Sequence, residues 1–427
     1  LSTQMAEPTQ TKDMLGRSGL IPVDVALHIL LANLEGITTA TKRIPLTEAF
    51  DRILAEPVIS PEDLPAQARS TMDGFAVRAV DTFGASESMP CYLNITGEVP
   101  MGVAPIGEVK KGCCYKIPTG GLLPEGADSV VMLEHSVPVD ETMIEIIKGV
   151  GTGTNLIQKG EDIAKGKQAL PGGQLLRPQD IGLLAGLGIA EVQVTRKVKV
   201  GILSTGDEII AHTEVPKPGQ IRNINAIALA GLVHRAGGVC CDYGVVSDQL
   251  EIFLPAITKA VQENDIVLFS GGSSVGVRDL GEQVVEELGP PGILVHGVTL
   301  KPGKPVLIGL SGNTPVFGLP GHPVSALVCF DTFVKPAIQE LSGQVKIPKL
   351  PTPYIIATLT RNINSAPGRR DVVRVKIIKE DHAWLATPVL GKSGSISTLS
   401  RSDGYFLIEE DSQGVTENSA IKVHLFQ

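Results

Sequence analysis

The stretch that decides the fold runs from Val198 to about Leu341. It holds VKVGILSTGDE (198–208), VCCDYGVVSD (239–248), DIVLFSGGSSVG (265–276), ILVHGVTLKPGKP (293–305) and TPVFGLPGHP (314–323). Each phrase opens as an apolar run of strand length and breaks into Gly, Ser, Pro or charged residues. Helix-length segments over 224–236, 249–262 and 280–288 follow three of them. Strands alternating with helices predict βαβ units and a mainly parallel, doubly wound sheet. Near-continuous apolar strands suit a sheet covered on both faces. Loops at the carboxyl ends of such strands open on one crevice where ligands bind. Ser204, Thr205, Asp207, Glu208, Ser247, Asp248, Ser270, Ser273, Ser274, Asp279, Lys301, Lys304 and His322 are therefore expected to converge, although they are far apart in the chain.

The rest of the chain surrounds that crevice. At 427 residues it exceeds one ordinary core, so several domains are expected. A hydrophobic content of 43% with 19% charged residues is that of a globular protein in water. The net charge of −9 argues against a nucleic-acid partner, which would need a basic surface. The first residues are polar and lack the apolar core of an export signal, and the longest apolar run, 181–190, is too short to span a membrane. None of the six cysteines forms a Cys-x-x-Cys pair, so they read as small apolar side chains in a reducing compartment. The cytoplasm is the expected location.

Taken in order, residues 1–20 read as a loose tail. A helix is predicted from Ile21 onward, a short second one over 47–54, and a strand over 75–80 after the Asp73-Gly74 turn. Residues 59–148 carry short strands separated by Gly and Pro and read as a β-rich insertion. It divides a discontinuous linker domain into 21–58 and 149–196, the second part holding a helix over 177–187 that starts with Pro178. The central α/β domain covers 197–345. Five short strands with turns between them make 346–427 a small all-β domain, a barrel or a sandwich.

The motifs each have a chemical and a plain reading. The acids of Ser204-Thr205-Gly206-Asp207-Glu208 suit a hard cation such as Mg²⁺ or an N–H-rich heterocycle, and equally a helix cap in a solvated turn. Ser270-Gly271-Gly272-Ser273-Ser274 exposes N–H and hydroxyl groups that fit a phosphate, though it matches neither the Walker nor the Rossmann pattern. Lys301-Pro302-Gly303-Lys304-Pro305 holds two ammonium groups on a stiff loop, which favours an oxyanion between them over an exposed basic turn. The Pro320-Gly321-His322-Pro323 turn joins a strand to a helix, and His322 at its tip could touch a ligand.

TMDGFAV (71–77), PTGGLLPEGADSVVMLE (118–134), GEDI (160–163), STGDE, SGGSSVG, KPGKP and GLPGHP stand in the order and approximate spacing of one family. The chain resembles the molybdopterin molybdenumtransferases of the MoeA type, related to the E domain of gephyrin and to plant molybdenum insertases. The resemblance runs from about residue 20 to the C-terminus. It implies a homodimer of four-domain subunits with shared active sites and a barrel-like C-terminal domain. It also implies insertion of molybdate into adenylylated molybdopterin with release of AMP. By motif, Glu208, Asp248 and Asp279 become crevice acids and Mg²⁺ ligands, with Asp73 a further catalytic acid. Thr119, Asp162, the Ser204–Gly206 and Ser270–Ser274 loops, Pro320 and Pro323 become substrate-binding positions. Lys301, Lys304, Arg374 and Ser395 become the molybdate site. The implied partners are a molybdopterin adenylyltransferase upstream and molybdoenzyme apoproteins or chaperones downstream. Gly297, where some relatives have lysine, and His322, where Asn is common, depart from the pattern. Adenylyl transfer to molybdopterin and a gephyrin-like scaffold role are the alternative readings.

Overall fold

The computed structural model describes residues 19–271, 275–344, 353–381 and 383–426, with backbone alone for 275–279. Gly272, Ser273 and Ser274 of the glycine-serine loop, and most of the expected N-terminal tail, lie outside the described residues. The chain divides into two compact units. One takes Arg43–Phe50 and Leu54–Gln193, and the other takes Leu1–Lys42, Asp51–Ile53 and Val194–Gln427. The segment expected to open the linker domain, 21–58, is thus divided between the two.

In the smaller unit a six-stranded sheet orders Ser129–Met132, Gly74–Val77, Cys113–Ile117, Cys91–Glu98, Met143–Ile146 and Ser136–Pro138. The side-chain period of two sends Phe75 and Val77 into one apolar cluster and Ala76 into the other. The strand expected to reach residue 80 stops at Val77, and Ala79–Thr82 is a 3₁₀ turn. Asp128 ends it, because its Oδ1 accepts the Ala79 N–H at 2.7 Å and removes that donor from the ladder. The helix expected over 47–54 is a single 3₁₀ turn, Leu46–Glu48. Pro178–Gly186 is a helix in which Asp180 accepts the Arg177 backbone N–H at 2.9 Å.

The larger unit is built on the predicted sheet. Its strand order is Val239–Val246, Lys199–Thr205, Ile266–Gly271, Thr314–Leu319, Leu307–Ser311 and Pro291–His296. The first four are parallel neighbours, and Pro291–His296 runs in the same sense because two antiparallel pairings separate it from Thr314–Leu319. Leu307–Ser311 is the one strand running against the others, and the sequence pattern missed it. Val200, Ile202, Ile266 and Leu268 face a core shared with the helices Val23–Leu34, Asn225–Arg235 and Lys335–Leu341. Leu203, Val267 and Phe269 face the opposite core, under Leu250–Glu263 and Val275–Glu287. Helices on both faces make the sheet doubly wound, as expected. The third helix begins at Val275, five residues before the expected start.

Residues beyond 353 close a barrel. Tyr354–Leu359, Arg370–Glu380, Ala383–Pro388, Gly404–Ile408 and Ala420–Leu425 pair around a ring and enclose Val375, Ala386, Phe406 and Val423. Leu300–Lys301 adds to this barrel, pairing in parallel with Arg370 and Asp371. All six cysteines are free, and burial pushes the Cys114 thiol up to about 12, as suits an inert core residue.

Candidate active site

The sheet carries the first part of the site. Ser204 and Thr205 end one strand and Ser270 ends its parallel neighbour, with Ser204 beside Ser270 in register. All three are buried. The Ser204 hydroxyl lies 3.1 Å from Asn223 Oδ1, which also accepts the Ala226 N–H. Thr205 Oγ1, Ser270 Oγ and Asn225 Oδ1 have no hydrogen-bond partner among the described residues. Asn225 Nδ2 donates to the Gly321 carbonyl at 3.0 Å, tying the first turn of its helix to the Pro320–Pro323 turn. Orphaned polar atoms at the carboxyl edge of a sheet are costly unless a ligand or water meets them.

The acids stand at the same edge. Gly206 turns the chain at φ +142°, and a Cβ there would lie 2.8 Å from Glu208 Oε2. Glycine is therefore what allows the Glu208 carboxylate to fold back over the strand end. Ser247 donates to Asp207 at 3.3 Å across the adjacent strand, which brings Asp248 beside this turn. Glu208 and Asp248 are partly exposed. Asp279 belongs to Val275–Glu287, but its side chain lies outside the described residues. Among the described residues no three His, Cys, Asp or Glu side chains converge as a metal cage. Two partly solvated carboxylates do fit Mg²⁺, which keeps several waters and is commonly held by one or two carboxylates with substrate phosphate.

A cleft of about 810 Å³ forms the second part, where the central domain meets the barrel. Among the described residues, Lys301, Lys304, Arg369, Arg374 and Lys392 give its walls five cationic residues, against the single carboxylate of Asp371. Asp371 is buried and accepts from Lys301 Nζ at 3.1 Å and from Arg369 Nε at 2.9 Å. Lys304 and Lys392 make no ion pair among the described residues. Arg374 is 7% exposed, Nη2 reaches the Gly391 carbonyl only at 3.4 Å, and Nε has no partner. Burial pushes its guanidinium below the usual arginine range, and no carboxylate offsets the effect. A second cavity of about 710 Å³ lies against the same arginine, with Leu300, Leu327, Leu399 and Leu407 among its apolar walls.

The cleft therefore unites Lys301, Lys304 and Arg374 with His322. Ser395 is exposed and does not line it, whereas Ser393 of the same loop does. Arg369, Asp371, Lys392, Ser393, Asn223 and Asn225 escaped the sequence reading. The repeated basic residues of Gly368-Arg369-Arg370-Asp371 were the one available signal for the first two. In the smaller unit, Asp73 Oδ1 accepts the Thr119 N–H at 2.7 Å and its hydroxyl at 3.0 Å. These bonds, the backbone one foremost, hold the Asp73 carboxyl below its usual range. Gly74 beside it is obligatory, since a Cβ would meet the Val131 carbonyl oxygen at 1.9 Å. Asp162 is exposed in a loop bridged to Leu64.

Three family models match the chain in order: MoeA N-terminal region (domain I and II) over 21–188, "Probable molybdopterin binding domain" over 201–340, and MoeA C-terminal region (domain IV) over 357–426. The molybdopterin molybdenumtransferase of Haemophilus influenzae is 34% identical over 95% of this chain and 99% of its own. That of Bacillus subtilis is 32% identical over 97% and 96%. The crystal structure of the molybdopterin biosynthesis moeA protein from Pyrococcus horikoshii superposes with a TM-score of 0.82 at 35% identity, over 95% of this chain and all of that one. With matching models along its length and relatives above 30% identity over nearly the whole sequence, this chain belongs to the MoeA family.

Proposed function

We propose that this chain inserts molybdate into adenylylated molybdopterin and releases AMP, a step of molybdenum cofactor biosynthesis. Molybdenum transfer to molybdopterin is the activity named for its relatives of matching length. The observation that carries the oxyanion assignment is Arg374, a buried guanidinium that has no carboxylate partner among the described residues, in a cleft where the described cations outnumber the acids five to one. Such a charge is costly when unmatched and becomes favourable with a dianion beside it. Lys304 and Lys392 supply further donors, and Asp371 fixes the Lys301 ammonium on the same wall.

The organic substrate is assigned to the sheet edge. Thr205 Oγ1, Ser270 Oγ and Asn225 Oδ1 are unsatisfied there, and a polar heterocycle would complete them. Glu208 and Asp248, joined by Asp279, are the residues to hold Mg²⁺, which when bound supplies positive charge at a pyrophosphate. No side-chain nucleophile is required. The chain's contribution is to orient the two substrates and to place fixed donors where charge develops. We further propose a homodimer in which Asp73 and Thr119 serve the partner's crevice. A molybdopterin adenylyltransferase would act upstream, and apoenzymes or chaperones would receive the product. Among the described residues no helix is long and apolar enough to cross a membrane. A cytoplasmic location is part of the same proposal.

The test incubates purified protein with adenylylated molybdopterin and molybdate. Release of AMP with formation of metal-bearing cofactor supports the reading. Consumption of ATP with free molybdopterin would instead mark an adenylyltransferase, and neither reaction would mark a scaffold. Mixing Asp73→Ala with Glu208→Ala subunits tests sharing: demonstrated exchange without recovered turnover rejects it.

A further inference from the structure

His322 lies at the tip of a strand-to-helix turn, and its side chain faces the barrel. Its Nδ1 is 2.8 Å from Ser393 Oγ. One turn of chain away, the Val324 N–H donates to the Ser393 carbonyl at 3.1 Å. The hydroxyl and the carbonyl of Ser393 are thus both engaged by the central domain. Ser393 stands in the middle of the Gly391–Ser395 loop, next to Lys392, which lines the cationic cleft, and inside the turn that the Ser395 N–H closes on the Lys392 carbonyl. At its other end the loop presents the Gly391 carbonyl to Arg374. Around His322 the charged groups of the cleft are Lys301 and Lys304 on one loop, Arg369, Asp371 and Arg374 on the barrel strand and its approach, and Lys392 on the latched loop.

We propose that His322 is a positioning residue: through Ser393 it latches the Gly391–Ser395 loop over the cleft and thereby sets where Lys392 and Arg374 meet the oxyanion. The proposal rests on the cleft being the molybdate site. Two observations separate it from an ordinary surface contact. The latch joins the first turn of the Pro323–Cys329 helix and the turn before it to a loop of the barrel. It also uses the hydroxyl and the carbonyl of one serine, so it fixes the orientation of the loop as well as its distance. A single exposed hydrogen bond of this kind shifts a local opening equilibrium by about fivefold, since about 1.4 kcal/mol is tenfold and such a bond contributes about 1 kcal/mol.

Trypsin cleavage after Lys392 reads the opening directly, because proteolysis follows the open population when reclosure is fast. His322→Ala and Ser393→Ala are each expected to raise that cleavage about fivefold, with no further rise in the double variant. His322→Asn, whose amide can replace Nδ1, should restore the wild-type rate. In turnover, His322→Ala should raise the molybdate concentration for half-maximal insertion severalfold while the half-saturating concentration of the adenylylated substrate stays unchanged. Ser393→Ala addresses the same latch without altering the helix start, should His322→Ala fold poorly. Unchanged cleavage in both single variants overturns the latch. Raised cleavage with unchanged molybdate dependence overturns its role in anion binding. Lys304→Ala runs alongside: if it too leaves the molybdate dependence unaltered, the cleft reading itself has failed, while the proteolysis still decides the latch.

Discussion

Replacing Arg374 by methionine separates a ligand site from a structural arginine, because the two readings predict opposite signs. Arg374 is 7% exposed, and the one hydrogen bond its side chain makes among the described residues, to the Gly391 carbonyl, is long at 3.4 Å. Burial depresses its folded-state pKa, which means that folding favours the neutral form. For a cation this is a destabilising contribution below the folded pKa, so it is fully present at neutral pH. Exchanging buried paired charges for apolar groups of similar volume ranges from neutral to stabilising by about 1–4 kcal/mol, an unpaired buried charge belongs toward the stabilising end, and losing one weak bond returns about 0.5–1 kcal/mol. The net expectation for Arg374→Met is a gain of about 1 kcal/mol, read as a rise of a few degrees in the melting midpoint. Insertion should move the other way. Loss of even one charge-assisted bond to the oxyanion, about 1.5–3 kcal/mol, raises half-saturating molybdate by tenfold or more. AMP release measured against molybdate concentration, beside thermal melting, checks both. A lower midpoint with unaltered molybdate dependence would refute the reasoning.

Thr205→Val removes a buried hydroxyl that has no partner, so stability should change by less than about 0.5 kcal/mol, while AMP release falls several fold. A melting loss above about 1 kcal/mol would show that the hydroxyl is satisfied within the fold. Gly206→Ala forces a Cβ against Glu208 Oε2 at a φ of +142°. It should cost about 1–3 kcal/mol and displace the carboxylate, with turnover down more than about tenfold; wild-type turnover would separate Glu208 from the chemistry. Asp331→Asn tests a carboxyl raised by burial, which nearby Lys335 and Arg235 only partly counter. A raised acid is destabilising above its folded pKa and neutral below its unfolded one, so the variant should melt higher at pH 7–8 and lose that advantage near pH 4.

The central sheet could be read from the sequence because its signal is local. A buried parallel strand is a continuous apolar run, and the Gly-Ser or Asp-Glu break after it marks the ligand edge. Leu307–Ser311 escaped because it follows the KPGKP loop so closely that its apolar run merges with the preceding phrase. The basic cleft was half legible. Lys301 and Lys304 announce themselves on one stiff loop, but Asp371, 70 residues further on, meets Lys301 only through a two-residue parallel pairing. No periodicity can reveal a strand of that length. Ser393 and Ser395 alternate within one Gly-Lys-Ser-Gly-Ser turn, and the contacts with His322 and Val324 settle that Ser393 faces the central domain. The unsatisfied Thr205 and Ser270 hydroxyls were recognisable as candidates by position. That they lack partners among the described residues is a property of packing, which a sequence does not carry.

The charge distribution explains how one protein could serve a dianion and a divalent cation together. A net charge of −9 repels molybdate at long range. At physiological ionic strength that repulsion decays over a Debye length of about 8 Å, so the field inside a cleft is set by the groups lining it. In the cleft of about 810 Å³ those groups are five cations and one carboxylate, and the carboxylate already bridges two of the five. Asp371 thus lowers the mutual repulsion of Lys301 and Arg369 enough for the wall to fold, while Arg374, Lys304 and Lys392 keep their charge available. The Asp207-Glu208 and Asp248 turns do the reverse at the strand ends, where carboxylates stand partly in water and need a cation to approach an anionic phosphate. Placing both signs in one open pocket would let each screen the other's ligand. Keeping the acids on the strand-end turns and the cations on the barrel side preserves both fields, and it leaves the loop held by Ser393 as the element that adjusts the cationic one.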